Sequence, residues 1–163
     1  MDAKAIESVA KHRATPRIRG YFGIGIENVK TDTNVGSLWR SAQILGASFM
    51  FTIGHRYRRQ ASDTTHASRH VPLYHYDDFS QFRAHQPTGT RLIGVELVPN
   101  AVTLERFVHP SQAVYLLGAE DYGMSKDAIA QCDKIIQLPG PFCLNVAVAG
   151  AIVMYDRSYK QRL

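Results

Sequence analysis

Three stretches of this chain carry polar groups in patterns that could do chemistry. The first is Pro139-Gly140-Pro141-Phe142-Cys143-Leu144-Asn145-Val146-Ala147-Val148-Ala149-Gly150, where an apolar run, Ile135-Ile136-Gln137-Leu138, meets a proline and empties into a long apolar helical segment. Asn145 suits the N-cap of that helix, because its short side chain can accept from the first helical N–H groups. A strand-to-turn-to-helix junction leaves such N–H groups free, and they suit a polar ligand. The same pattern also describes a capped core helix that binds nothing. The second stretch, His55-Arg56-Tyr57-Arg58-Arg59, packs three arginines around one tyrosine. That mixture fits phosphate contacts with stacking on a base or sugar, and equally a solvated basic loop. The third is Gly118-Ala119-Glu120-Asp121-Tyr122-Gly123-Met124-Ser125, with Ser125 placed to cap a short helix and Asp127 in its first turn.

Other patterns point nowhere specific. His66 and His70 stand four apart, a spacing that could hold a metal on a helix, but no third ligand is near them and they read as surface histidines. No metal is expected. Gly23-Ile24-Gly25 lacks the third glycine of a dinucleotide-binding turn. Cys132 and Cys143 are too few for a disulfide framework and read as two free thiols in a reducing cytosol.

The elements that must position these groups alternate. Residues 21–26, 49–53, 71–76, 91–97, 113–117 and 135–138 read as strands. Val35, Leu38, Trp39, Ala42 and Leu45 share one helical face, with Asn34 as cap, Gly46 as stop and Arg40 off the apolar stripe. Residues 77–85 read as a helix with Phe79 and Phe82 turned inward, and the helix after Asn145 reads as buried until Asp156. Strands alternating with helices predict an α/β domain with a mainly parallel sheet flanked by helices, whose ligands sit beyond the carboxyl ends of the strands. The loops after Leu97, Leu117 and Leu138 are of that kind.

At 163 residues, with 45% hydrophobic and 20% charged residues, the composition is that of a globular domain rather than a disordered chain. We expect one domain over residues 20–163, preceded by a polar, basic extension over residues 1–19. No run approaches the length of a membrane span, so neither a membrane nor secretion is expected, and the cytoplasm is the expected compartment. A net charge of +5 favours an anionic partner such as nucleic acid, as supporting evidence only.

Taken together and in order, three segments resemble the SpoU-type (TrmH-like) RNA ribose 2′-O-methyltransferases of the SPOUT class. Asn34-Val35-Gly36-Ser37-Leu38-Trp39-Arg40-Ser41-Ala42 is similar to the family's Asn-to-Arg first motif, and Leu117-Gly118-Ala119-Glu120-Asp121-Tyr122-Gly123-Met124-Ser125 to its Gly-x-Glu-x-x-Gly motif. Cys143-Leu144-Asn145-Val146-Ala147-Val148-Ala149 resembles Ser-Leu-Asn-Val-Ser-Val-Ala. Cys143 stands in place of the usual serine, and the loop before it is shorter than in many relatives. The resemblance covers residues 21–159.

The resemblance implies a fold with a deep C-terminal trefoil knot that grips S-adenosylmethionine, and a homodimer in which the helix after Asn145 serves as interface. Knots are rare exceptions among chain connections, so this expectation rests on the resemblance alone. The implied cofactor site comprises Val95, Glu96, Leu97, Leu117, Gly118, Leu138, Cys143 and Leu144, with Gly118 letting the ligand approach the backbone. The implied catalytic set is Arg40, Asn34, Asn145 and Glu120, where Glu120 steadies its own loop by accepting backbone N–H groups. Arg40, Arg56, Tyr57, Arg58 and Arg59 would hold RNA, with tRNA favoured over rRNA. Relatives often carry an added RNA-binding domain that this chain lacks, so a minimal catalytic unit is expected. Arginine gives up its proton at neutral pH only at a cost of about 7–9 kcal/mol, so a bidentate grip on a phosphate suits Arg40 better than the role of base. The competing expectations are methylation of a base nitrogen by the same fold, and an RNA-binding module without activity.

Overall fold

The computed structural model describes residues 20–58 and 67–161. The basic extension, Arg59 and His66 therefore lie outside the described residues. Seven strands, β1 (Tyr21–Glu27), β2 (Phe49–Ile53), β3 (Leu73–Tyr76), β4 (Arg91–Val95), β5 (Val102–Thr103), β6 (Gln112–Gly118) and β7 (Lys134–Gln137), form one sheet in the order β3-β2-β1-β6-β4-β7-β5. Every pairing is parallel. Among the described residues four α-helices accompany them: α1 (Asp32–Leu45), α2 (Phe79–His85), α3 (Lys126–Gln131) and α4 (Val146–Lys160). The mainly parallel α/β architecture is as expected. The two-residue edge strand β5 carries too short an apolar run to be visible beforehand.

Side chains alternate across the sheet, so each strand feeds two cores. Ala113, Tyr115 and Leu117 of β6 join Phe22, Ile24 and Ile26 of β1 beneath Val35, Leu38 and Trp39 of α1 and Val146, Val153 and Met154 of α4. Val114 and Leu116 face the other way, joining Phe49, Phe51, Leu92, Phe79, Phe82 and Ala128 under α2 and α3. Burying an aliphatic or aromatic side chain of this size contributes about 1.5–3 kcal/mol, which is why the central strands read as nearly continuous apolar runs. The Gly23-Ile24-Gly25 pattern belongs to this packing. A Cβ on Gly23 would lie 2.2 Å from the Phe49 ring, and one on Gly25 2.5 Å from the Phe51 ring. At Gly150 of α4 a Cβ would lie 2.5 Å from Leu38 Cδ1, so α4 and α1 meet there at close range.

Several element boundaries differ from expectation. Gly46 ends α1 in the left-handed region (φ 84°), as anticipated, but α1 begins at Asp32 and places Asn34 in its first turn rather than at the cap. Asp32 is acidic and favours that position near the positive end of the helix. Helix α2 begins at Phe79 rather than at residue 77, and Asp78 caps it by accepting from Gln81 N. Helix α4 is not buried throughout: Val148, Ile152, Tyr155 and Tyr159 form an exposed apolar stripe. A largely apolar helix with one open side has a face that the described residues do not cover.

Candidate active site

Because all strands run the same way, every strand-to-helix loop emerges at one edge of the sheet. The loops after β4, β6 and β7 meet there in one cleft with the start of α4. Its lining includes Val95, Glu96, Leu97, Leu117, Gly118, Leu138, Cys143 and Leu144, all eight residues expected at the cofactor. Ala119, Glu120, Gln137, Phe142, Val146 and Ala149 complete it. The walls are largely apolar, and Phe142 is 82% exposed at the rim. The N–H groups of Phe142, Cys143 and Leu144 find no acceptor among the described residues. Apolar walls with unused backbone donors fit a flat, partly polar ligand such as an adenosyl group.

Asn145 behaves as the sequence suggested and does more. Its Oδ1 accepts from Ala147 N at 3.0 Å and Val148 N at 3.3 Å. Capping thereby turns its amide nitrogen outward, where it donates to Glu120 Oε1 at 2.6 Å and to Asn34 Oδ1 at 3.0 Å. Asn34 Nδ2 in turn donates to Glu120 Oε1 at 3.1 Å. Three residues from three segments thus close a hydrogen-bonded triangle at the rim of the cleft. The freed Asn34 side chain, no longer a cap, is what makes the triangle possible.

Two expectations about the middle loop need correction. Glu120 does not brace its own loop, since its carboxylate is taken up by Asn34, Asn145 and, at 3.4 Å, Val146 N. The loop is braced by two other carboxylates. Glu96 Oε2 accepts from Met124 N at 2.8 Å and Oε1 from Leu97 N at 2.9 Å. The buried Glu27 accepts from Ser125 N and Ser125 Oγ, each at 2.7 Å. Glu27 was missed; its signal was an acid ending an otherwise apolar strand. Nor does Gly118 face a ligand in place of a side chain: a Cβ there would sit 2.1 Å from Gly123 C. Its missing side chain makes room for the loop's own backbone.

Arg40 stands on the exposed side of α1, six residues beyond Asn34, and is not part of the cleft lining of one chain. The basic loop after β2 lies at the same sheet edge. His55 Nε2 and Arg58 N both contact Asp32 Oδ1, at 2.8 and 3.3 Å, tying the loop to the start of α1. The hydrogen bond from His55 holds the Asp32 carboxyl below its ordinary pKa. Tyr57 packs edge-on against Trp39, with ring centroids 5.7 Å apart, and is half-buried there, which anchors the loop. Arg56 and Arg58 remain exposed. Cys143 is exposed in the cleft, whereas burial pushes the Cys132 thiol up to about 12 and makes it inert.

The chain has relatives among known proteins. The chain is 26% identical over 147 residues to an uncharacterized tRNA/rRNA methyltransferase of Archaeoglobus fulgidus, covering 85% of this chain and 65% of that protein. It is 27% identical over 137 residues to the tRNA (guanosine(18)-2'-O)-methyltransferase of Escherichia coli K12, covering 80% of this chain and 60% of that protein. The chain thus spans less than two thirds of the length of either relative. The fold matches the SpoU methyltransferase AviRb from Streptomyces viridochromogenes in complex with AdoMet, with a TM-score of 0.76 at 21% identity over 90% of this chain and 60% of that one. The model of the SpoU rRNA Methylase family matches residues 22–155, and the chain belongs to that family.

Proposed function

We propose that this protein transfers the methyl group of S-adenosylmethionine to a ribose 2′-hydroxyl of RNA, with tRNA the favoured substrate. The observation that carries this reading is the convergence of the three loops on one cleft whose rim is the Asn34–Glu120–Asn145 triangle. The apolar residues Leu97, Leu138 and Leu144 would hold the adenosyl group, and the unused N–H groups of Phe142, Cys143 and Leu144 its polar edges. When bound, the cofactor supplies an electrophilic methyl on a sulfonium. The chain's own task is to align a hydroxyl with it, and alignment of two reactants is worth about 7–11 kcal/mol of a barrier. The triangle would orient the incoming ribose, and Arg40 would grip the neighbouring phosphate with its bidentate fork.

A homodimer belongs to the same reading. The open stripe of Val148, Ile152, Tyr155 and Tyr159 lies on α4, which packs along α1. Arg40 and Ile44 occupy the exposed side of α1, so a second copy seated on these helices would bring its own surface beside Arg40.

The test is methyl transfer from isotopically labelled S-adenosylmethionine to RNA, followed by digestion to nucleosides. Labelled 2′-O-methylnucleosides are expected. Label on a base would replace this reading with base methylation, and no cofactor binding by calorimetry would leave an RNA-binding module. Arg40→Ala is expected to lower turnover at saturating RNA by about a hundredfold or more, at unchanged cofactor affinity. Normal turnover in that variant would remove Arg40 from the chemistry.

A further inference from the structure

Tyr122 is one of the most exposed large side chains described, at 83%, yet the loop that carries it is unusually well held. Gly123 N bonds back to Ala119 O at 2.8 Å, closing a tight turn with Gly123 in the left-handed region (φ 64°). Glu96 and the buried Glu27 grip the next two residues from below. On one side of the ring, Lys30 Nζ stands 5.3 Å from the centroid and is ion-paired with Asp121. The ring is therefore steadied on its cationic side and open on the other. A rigid, solvent-facing aromatic loses little freedom on engaging a flat partner, which is the condition for effective stacking.

Its position gives the partner. Neighbouring strands β2, β1, β6 and β4 deliver, in that spatial order, Arg56 and Arg58, then Lys30, then Tyr122, then the cofactor cleft. At the usual strand spacing those three steps span about 14 Å, within the reach of one short stretch of nucleic acid backbone. Lys30 and Tyr122 come from the same two loops that lead to Asn34 and from Glu120, respectively. We infer that Tyr122 is a stacking platform for a base of the bound RNA beside the target ribose, on a track running from the Arg56–Arg58 loop to the cleft. This inference rests on the RNA methyltransferase reading and adds to it the residue that seats the strand. It gives the stacking role to the more exposed of the two rings, since Tyr57 is half-buried against Trp39.

The test uses Tyr122→Ala, Tyr122→Phe and Tyr122→Trp in the full chain, with unfractionated unmodified tRNA as probe. Tyr122→Ala is expected to raise KM for RNA about tenfold or more while leaving S-adenosylmethionine affinity and melting temperature unchanged. Tyr122→Phe should behave as the parent, because the ring face rather than the hydroxyl carries the interaction. In Tyr122→Trp, added RNA should quench the fluorescence of the new indole. An unchanged KM in Tyr122→Ala, or loss of cofactor affinity along with RNA affinity, would overturn the platform. So would a phenylalanine variant as impaired as the alanine one. Failure of the parent protein to methylate any RNA would instead sink the underlying reading, and is distinguishable because it precedes any variant.

Discussion

Asn145 does two things with one amide, and the second depends on the first. Its carbonyl oxygen must face Ala147 N and Val148 N to cap α4, so its NH2 is committed to Glu120 and Asn34. The consequence can be tested with a nearly isosteric change. Asn145→Asp keeps the capping oxygen, and aspartate is as good a cap as asparagine. It also sets a second carboxylate against Glu120 Oε1, where the amide nitrogen now lies 2.6 Å away. Like charges at that distance repel, so the triangle should open while the helix stays capped. The expected outcome is a melting temperature close to that of the parent and a severalfold or larger loss of turnover. Intact turnover in Asn145→Asp, with stability lost only in Asn145→Ala, would reduce Asn145 to a helix cap.

At the scale of elements, the loop after β6 is the part on which the site depends. It is shaped by absence at Gly118 and by two carboxylates at its far end. Gly118→Ala would drive a Cβ into the Gly123–Met124 backbone, at 2.1 and 2.2 Å, where no flexible side chain can yield. Overpacking of this kind costs about 1–3 kcal/mol, and more when only backbone can move. The variant is expected to melt lower and to bind S-adenosylmethionine more weakly, both read in one calorimetric series. If Gly118 served only to admit the ligand, the variant would melt like the parent. The basic loop is built by the same logic: Tyr57 against Trp39 and Asp32 against His55 hold it, leaving Arg56 and Arg58 to face outward.

At the scale of the whole molecule, α4 is fastened along its C-terminal half by a buried polar chain. Arg157 is 1% exposed and donates to Pro110 O, Ser111 O and Tyr115 Oη. The Tyr115 hydroxyl lies 2.6 Å from His109 Nδ1, and His109 Nε2 lies 2.8 Å from Asp156, which also pairs with Lys160. A neutral imidazole, accepting at Nδ1 and donating at Nε2, satisfies every member; burial accordingly pushes the His109 pKa below 6.5, against the pull of Asp156. The unfolded chain therefore takes up this proton more readily than the folded one. The stability this group contributes is present above pH 6.5 and is lost as pH falls through the lower folded value. Melting temperature should drop between about pH 7 and pH 5, and His109→Gln, which keeps a donor and an acceptor, should flatten that slope. A slope unchanged by His109→Gln would place the pH sensitivity elsewhere; Asp32 titrates only below 3.8. The outer face of α4 permits a separate test. Ile152→Arg, placing a charge in the open apolar stripe, is expected to convert the proposed dimer to a monomer in sedimentation velocity, with loss of turnover.

The sequence by itself determined what acts over a few residues. Short apolar runs, the Gly46 stop, the Ser125 and Asn145 caps and the exposed arginines after β2 are set by local backbone sterics and nearest-neighbour hydrogen bonds, and the motifs named the cleft residues. The tertiary structure decided which of these groups meet. Asn34 reaches Asn145 across 111 positions, and Glu27 reaches Ser125 across 98. Such partnerships follow from the strand order β2-β1-β6-β4, which no local pattern encodes. The same holds for surfaces: Tyr57 and Tyr122 are alike as residues beside charged neighbours, and only packing half-buries one ring against Trp39 and leaves the other open. Local preference chooses the elements, while long-range contact assigns each side chain its work.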